Sequence, residues 1–355
     1  MLGIPQLDSL LDQFRYPLQP AARDPGWTSP TSIGRGQTEE ADEEDTRGDP
    51  TPAPSRPYPQ AFKGKPATVE ITSRTSAAGK TTLIYYLSAL STLPRNLGGK
   101  ESAVVYIDSD GRFSASRLLQ IMLHQIQTHQ TTGSNTTMPA DSETKALALE
   151  ALNHVHVFRP QSSSQLLSIL VSLSSFLLDR TRHSSIYRPL GMIAIDSVTA
   201  FYWQDRFERD MAKLESPGRV PPKSRNAEII ERLKVLQDRF ECVVVFSTNL
   251  TSSPSKSRHE QTSNQKQTPT AGPLLTPWTA YATLKLTLSR AEVPQFASHI
   301  GLEQCLRDRE KRFEVVRHGR IVGSVEAGAK EGIRGETGKP AVGFRIGEVG
   351  VEFED

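Results

Sequence analysis

Short runs of β-branched and aromatic residues recur along the middle of the chain, spaced far enough apart for a helix to fit between them. TVEIT (68–72), AVVYI (103–107), HVHVF (154–158), GMIAI (191–195) and CVVVFS (242–247) are each bounded by polar or turn-forming residues, as buried strands are. Segments with helical periodicity separate them: TTLIYYLSAL after the first run, RLLQIMLHQIQ after the second, SQLLSILVSLSSFLL after the third and NAEIIERLKVLQDRF before the fifth. In the last of these, Ile229, Leu233, Leu236 and Phe240 form one apolar stripe, with Asn226 where an N-cap is expected. Buried-type strands alternating with helices predict an α/β fold, a mostly parallel sheet covered by helices on both faces. Past residue 280, YATLKLTLS, RFEVVR and GFRIGE follow one another as strand-like segments, which predicts an antiparallel C-terminal extension at one sheet edge. Polar stretches near 129–146, 251–273 and 323–341 are expected to be flexible loops, and the middle one is long enough to be functional or disordered. No internal repeat is apparent.

Composition divides the chain unevenly. Residues 1–14 read as a short pre-core segment. Residues 15–65, rich in Pro, Gly, Ser and Thr and carrying the acidic cluster from Glu39 to Asp45, hold too few large apolar residues to offset the entropy of ordering. They are expected to form a disordered acidic linker, leaving 66–355 as the folded core. The net charge of +2 names no polyanionic partner, so any nucleic-acid contact has to be local. Of the two cysteines, Cys242 lies in an apolar run and reads as a buried free thiol, which suits a reducing compartment. The N-terminus lacks a basic n-region and no apolar run approaches the roughly 20 residues of a membrane span, so a soluble intracellular protein is expected.

The stretch TSRTSAAGKTT (72–82) links the first strand to the first helix and ends as a phosphate-binding loop does. In such a turn, consecutive backbone N–H groups and the helix N-terminus cradle phosphate oxygens. Residues 74 to 82 (Arg74, Thr75, Ser76, Ala77, Ala78, Gly79, Lys80, Thr81 and Thr82) are the candidate nucleotide site. Lys80 is expected to reach the β/γ-phosphates and the Thr81 hydroxyl to ligate Mg²⁺. The motif requires glycine at position 74, where Arg74 stands. Ala77 and Ala78 suit the loop if φ is negative and add strain at a left-handed position. Asp196, closing GMIAID, is placed at the C-terminal end of a buried strand, where it can hold the cation opposite Thr81.

Together these residues resemble the RecA-type recombinase family. GIPQLDSLL (3–11) is similar to the segment preceding the ATPase core of eukaryotic and archaeal recombinases, and VVYIDSDGRFSASRLLQI (104–121) to their second-strand motif. IAIDSVTAFYW and VVVFSTNL look like the third and fourth conserved strands. Within the family the Ala-Phe-Tyr-Trp run resembles one recombinase paralogue of DNA repair in particular. The likeness covers about residues 68–290 and implies ATP and Mg²⁺ as cofactors, a nuclear location and a role in homologous recombination. It also implies assembly with another paralogue and assistance to the recombinase filament on single-stranded or branched DNA. Three departures bear on turnover. Asp110 stands where the family has a water-activating glutamate, Leu250 replaces the γ-phosphate-sensing glutamine, and Arg74 replaces the loop glycine. ATP binding with weak or absent hydrolysis follows.

By position, residues 204–225 and 251–273 resemble the family's two DNA-facing loops, which makes Arg206, Arg209, Lys223, Arg225, Lys256, Arg258 and Lys266 the DNA-contact candidates. Of the aromatics, Phe201 is expected in the core, while some of Tyr202, Trp203 and Phe207 can anchor a partner subunit. Trp278 and Tyr281 are expected in the core. His154 and His156 share a strand face without a third metal ligand. Two other classes fit a degenerate phosphate loop: a RecA-like subunit of another assembly, of the Elongator type, and a P-loop small-molecule kinase, although no Arg-rich lid or acceptor pocket is found.

Overall fold

The computed structural model describes residues 2–15, 66–73, 75–132, 141–215, 224–249, 276–290, 301–317, 319–326, 340–347 and 350–353. The acidic linker, Arg74, Leu250 and the whole 251–273 stretch lie outside them.

The chain enters through helix α1 (Pro5–Arg15), then strand β1 (Thr68–Ser73), α2 (Lys80–Thr92), β2 (Ala103–Asp108), α3 (Ala115–Thr132) and α4 (Asp141–Leu152). It continues with β3 (Val155–Phe158), α5 (Ser163–Leu178), β4 (Leu190–Asp196), α6 (Tyr202–Glu215), α7 (Arg225–Phe240) and β5 (Val243–Asn249). The tail adds α8 (Thr276–Tyr281), β6 (Leu284–Arg290), α9 (Leu302–Arg317), β7 (Arg320–Glu326), β8 (Pro340–Ile346) and β9 (Val351–Phe353). The strands form one sheet in the order β3-β2-β4-β5-β1-β6-β7-β8-β9. Pairing is parallel from β3 to β6 and antiparallel from β6 to β9. The parallel core and the antiparallel extension are both as the pattern predicts.

Alternation along the central strands divides the core into two layers. Val104 and Tyr106 of β2, Met192 and Ala194 of β4 and Val243 and Val245 of β5 face one layer, closed by α2, α3 and α1, whose Leu7 and Leu11 are buried in it. Val105, Ile107, Ile193, Ile195, Val244 and Phe246 face the other, closed by α5, α7 and Trp278 of α8. The stripe on α7 is buried at Ile229, Leu233 and Leu236, and Phe240 packs at its margin. Two layers with the sheet between them put the C-terminal ends of β1, β4 and β5 side by side, at one mouth.

Several local expectations need correction. RFEVVR is the end of helix α9, not a strand. The preceding EQCLRDREK is made of good helix formers and carries the helix through the β-branched pair. The strand is the next segment, RIVGSVE, which pairs with β6 and enters the stretch read as polar from 323. Helix α4 begins inside the 129–146 stretch, and residues 202–215 are helical where a loop was expected. Asn226 lies buried within α7, whose N-cap position is Ser224.

Candidate nucleotide site

The turn between β1 and α2 closes tightly. Gly79 has φ +85°, a left-handed conformation that glycine adopts without cost, and its carbonyl accepts the first helical bond from the Leu83 amide at 2.9 Å. A Cβ there would lie 2.6 Å from Ile321 Cδ1 and 2.7 Å from Ile346 Cδ1, so both side-chain tips would have to shift. The antiparallel extension thus presses directly on the loop. Ala77 is left-handed as well, at φ +55°, whereas Ala78 is buried and is not among the described residues with positive φ. The Arg290 guanidinium, at the end of β6, donates from Nε to the Ala77 carbonyl at 3.1 Å.

Lys80 opens α2 and its ammonium donates to Ser73 Oγ at 2.5 Å, while Ser73 Oγ donates to the Thr75 carbonyl at 2.8 Å. Burial pushes the Lys80 pKa below its ordinary value, and the carboxylates of Asp196 and Asp110 partly offset this. Across the mouth, Thr81 Oγ1 donates to Asp196 Oδ2 at 2.7 Å. The same oxygen accepts from the Tyr106 phenol at 3.1 Å, and the other, Oδ1, accepts from the Ser247 hydroxyl. Asp196 is 6% exposed and so depends on these donors. Its peptide bond to Ser197 is cis.

Asp110 reaches the same cavity from the loop after β2. Ser197 Oγ donates to it at 3.3 Å, and burial together with nearby Asp196 raises its pKa. The loop is pinned by buried Asp108, which accepts the Arg112 and Phe113 amides at 2.9 and 3.0 Å and Arg159 Nε at 3.0 Å. The resulting cavity has a volume of about 700 Å³. Its walls are the loop from Thr75 to Thr82, Asp110 and Arg112, Asp196 with Ser247, and Arg290 with Ile321 and Ile346 from the extension.

The described members of the expected nucleotide set therefore converge, with Asp110 and Asp196 facing them. The fit to a magnesium nucleotide can be read from the donors. Thr81 and Asp196 supply hard oxygens at bonding distance from one another, as Mg²⁺ prefers. Lys80 brings a cation to the same mouth, where the N-terminus of α2 opens on the cavity. Lys80 and the loop amides would hold phosphates, Thr81 and Asp196 the cation. Arg112, Arg290, Tyr106 and Ser247 were missed by sequence reading. Tyr106 had a weak signal in the YID motif; the others had none.

The DNA-contact candidates are arranged differently. Arg206 pairs with Asp210 at 3.7 Å and lies over the Trp203 ring at 5.5 Å. Arg225 is tied inward, to Glu208 at 3.0 Å and Ser163 Oγ at 3.2 Å. Arg209 is half-buried on α6. Lys223, Lys256, Arg258 and Lys266 lie outside the described residues. Helix α6 lies on the surface with no buried residue, held through Asp205, bonded to Ser163, and Tyr202 at the core margin, and it leaves Trp203 63%, Phe207 66% and Leu214 76% exposed. Phe201, expected in the core, is half-buried; Trp278 is fully buried and Tyr281 packs at the core margin. His154 and His156 share Ser185 Oγ, at 2.8 and 2.9 Å, and no metal-binding cluster occurs among the described residues. None of their helices is long and apolar enough to cross a membrane.

A mostly parallel sheet whose first strand leads through a phosphate-type loop into a helix, with an aspartate two strands away and an antiparallel C-terminal edge, is the RecA-like class of P-loop protein. Sequence comparison narrows the class. The Rad51 family profile matches residues 67–322, well over half of the chain, and the chain belongs to that family. Mouse DNA repair protein XRCC2 is 31% identical over 128 residues, 36% of this chain and 38% of that protein. The Ala-Phe-Tyr-Trp run resembles this same paralogue. Human DNA repair protein RAD51 homolog 2 is 25% identical over 173 residues, 49% of this chain and 38% of its own length. Arabidopsis thaliana DNA repair protein RAD51 homolog 1 is 24% identical over 244 residues, 68% and 59% of the respective chains. The matches span less than two thirds of each of these relatives.

Proposed function

We propose that this chain is a recombinase-paralogue subunit that works in DNA double-strand break repair by homologous recombination, in the nucleus. It binds ATP with Mg²⁺ at the mouth between β1 and β4 and turns it over slowly or not at all. The observation that carries the reading is the contact of Thr81 with Asp196 beside Lys80, in a chain of the Rad51 family. Bound Mg²⁺ would screen the phosphate charges; the chain's own part is to seat and orient them. Asp110 is the residue for directing water, and its side chain, one methylene shorter than glutamate, sets the carboxylate back from the attacking position.

The partner is another RecA-type paralogue, and through it the chain assists the recombinase on single-stranded or branched DNA. Exposed aromatics on α6 support a protein contact, because buried Trp and Phe anchors dominate interface energetics. Arg206 and Arg225 are engaged with carboxylates of α6, so direct DNA contact rests more on Lys223, Lys256, Arg258 and Lys266.

The test combines a fluorescent ATP analogue, steady-state hydrolysis and cell complementation. Mg²⁺-dependent binding, negligible hydrolysis by the isolated chain and crosslinker sensitivity of cells lacking it are expected. Lys80→Ala should weaken nucleotide binding yet largely restore repair. Brisk hydrolysis, or a loss of wobble-uridine modification instead of crosslink resistance, would contradict the proposal.

A further inference from the structure

The phenol of Tyr106 is buried where phenylalanine would serve the packing as well. Tyr106 has no exposed surface, and its ring is wedged between Phe113 at 4.8 Å and Tyr85 at 5.7 Å, centroid to centroid. A hydroxyl taken out of water needs a bond, and this one is spent on Asp196 Oδ2 at 3.1 Å. Thr81 donates to the same oxygen and Ser247 to the other. These donors differ in what they can do next. A hydroxyl that donates its hydrogen keeps its lone pairs, so Thr81, which lines the cavity, can ligate a cation directly while still bonded to Asp196. Tyr106 is not part of the cavity lining and has no such alternative.

Resting on the magnesium–nucleotide reading above, we infer that Tyr106 is a positioning residue. From behind the site it fixes the carboxylate of Asp196, so that a divalent cation meets an oxygen already oriented. Its neighbours keep it in register. Tyr85, on the other side of the ring cluster, accepts the Ser114 amide at 2.8 Å and so ties the loop bearing Asp110 and Arg112 to the same aromatic wedge. Hydrogen bonds to ligating carboxylates typically account for about 10- to 100-fold in metal affinity.

The experiment titrates Mg²⁺ against binding of a fluorescent ATP analogue to the full chain, with a parallel measurement in EDTA. Tyr106→Phe is expected to raise the Mg²⁺ concentration for half-maximal binding about 10-fold or more, and to leave metal-free affinity unchanged. Ser247→Ala should shift it in the same direction. Tyr86→Phe, which removes a phenol on α2 whose hydrogen-bond partner is Gln125, should not. An unchanged Mg²⁺ requirement in Tyr106→Phe, with wild type Mg²⁺-dependent, overturns this inference alone. So does an equal loss of affinity with and without metal, which marks a merely structural role. A wild-type chain indifferent to Mg²⁺ overturns the metal reading and this inference with it. Should Tyr106→Phe not fold, Ser247→Ala carries the test, and no shift there refutes the claim that hydroxyl donors to Asp196 set cation affinity.

Discussion

Ala77 holds a conformation suited to glycine, and replacing it should stabilise the protein. A left-handed φ of +55° costs a residue with a Cβ about 1–2 kcal/mol. Glycine removes that cost but loosens the unfolded chain by about 0.4–1 kcal/mol. The difference leaves Ala77→Gly more stable by about 0.5–1 kcal/mol, a rise of roughly 1–4 °C in melting temperature for a core of this size. Little else changes. The Ala77 side chain is exposed, and its bond from Arg290 uses the backbone carbonyl. Calorimetric melts should be read beside titrations with an ATP analogue, whose affinity is expected to hold or rise as the backbone approaches phosphate more freely. Ala78→Gly is the control. At a buried position without positive φ, it should lose about 0.5–1 kcal/mol. If the two variants move the melting temperature in the same direction, the left-handed cost at Ala77 is not what the loop bears.

Other outcomes follow from packing and charge. Trp278, 1% exposed and 5.1 Å from the Phe246 ring, closes one core layer, so Trp278→Ala should cost about 3–5 kcal/mol in denaturant unfolding. Trp203→Ala with Phe207→Ala should change stability by no more than about 0.5 kcal/mol each, yet weaken association with a co-expressed paralogue in sedimentation runs. Burial, with His183 and His154 nearby, lowers the His156 pKa to about 4. A depressed histidine gives stability that is full above the unfolded value of 6.5 and is lost as pH falls toward about 4. The upper bound is roughly 3 kcal/mol, reduced by the ring's partial exposure. Urea unfolding between pH 7 and 4 should show the loss, and His156→Phe should flatten it.

The parallel core was legible because strands buried on both faces leave a signal that context seldom overrides. Val104 to Ile107 and Val243 to Phe246 can be little else between helical periods. The tail was less so. Phe313, Val315 and Val316 carry strand propensity, but their helix begins at Leu302, among Glu, Arg and Lys residues that favour it, and extends through them. Helix α6 failed to register for a related reason. None of its residues is buried, and Trp203, Phe207 and Leu214 face solvent, so the usual inference from periodicity to burial fails here.

The candidate site divides along the same line, between what is local in sequence and what the sheet brings together. Gly79, Lys80 and Thr81 form a contiguous motif, and Asp196 is marked by its place at the end of a buried strand. Tyr106 and Ser247 lie 90 and 51 residues from Asp196, and beyond the YID motif nothing in their own neighbourhoods distinguishes them from core-filling polar residues. Strand register supplies the missing step. Asp108 pairs with Asp196 across β2 and β4, and alternation then puts Tyr106 on the Asp196 face, one pleat back from the mouth. On β5, Ser247 follows Phe246, which pairs with Ile195, and so turns to that face too. Three neighbouring parallel strands thus deliver a carboxylate and two buried hydroxyls to one point.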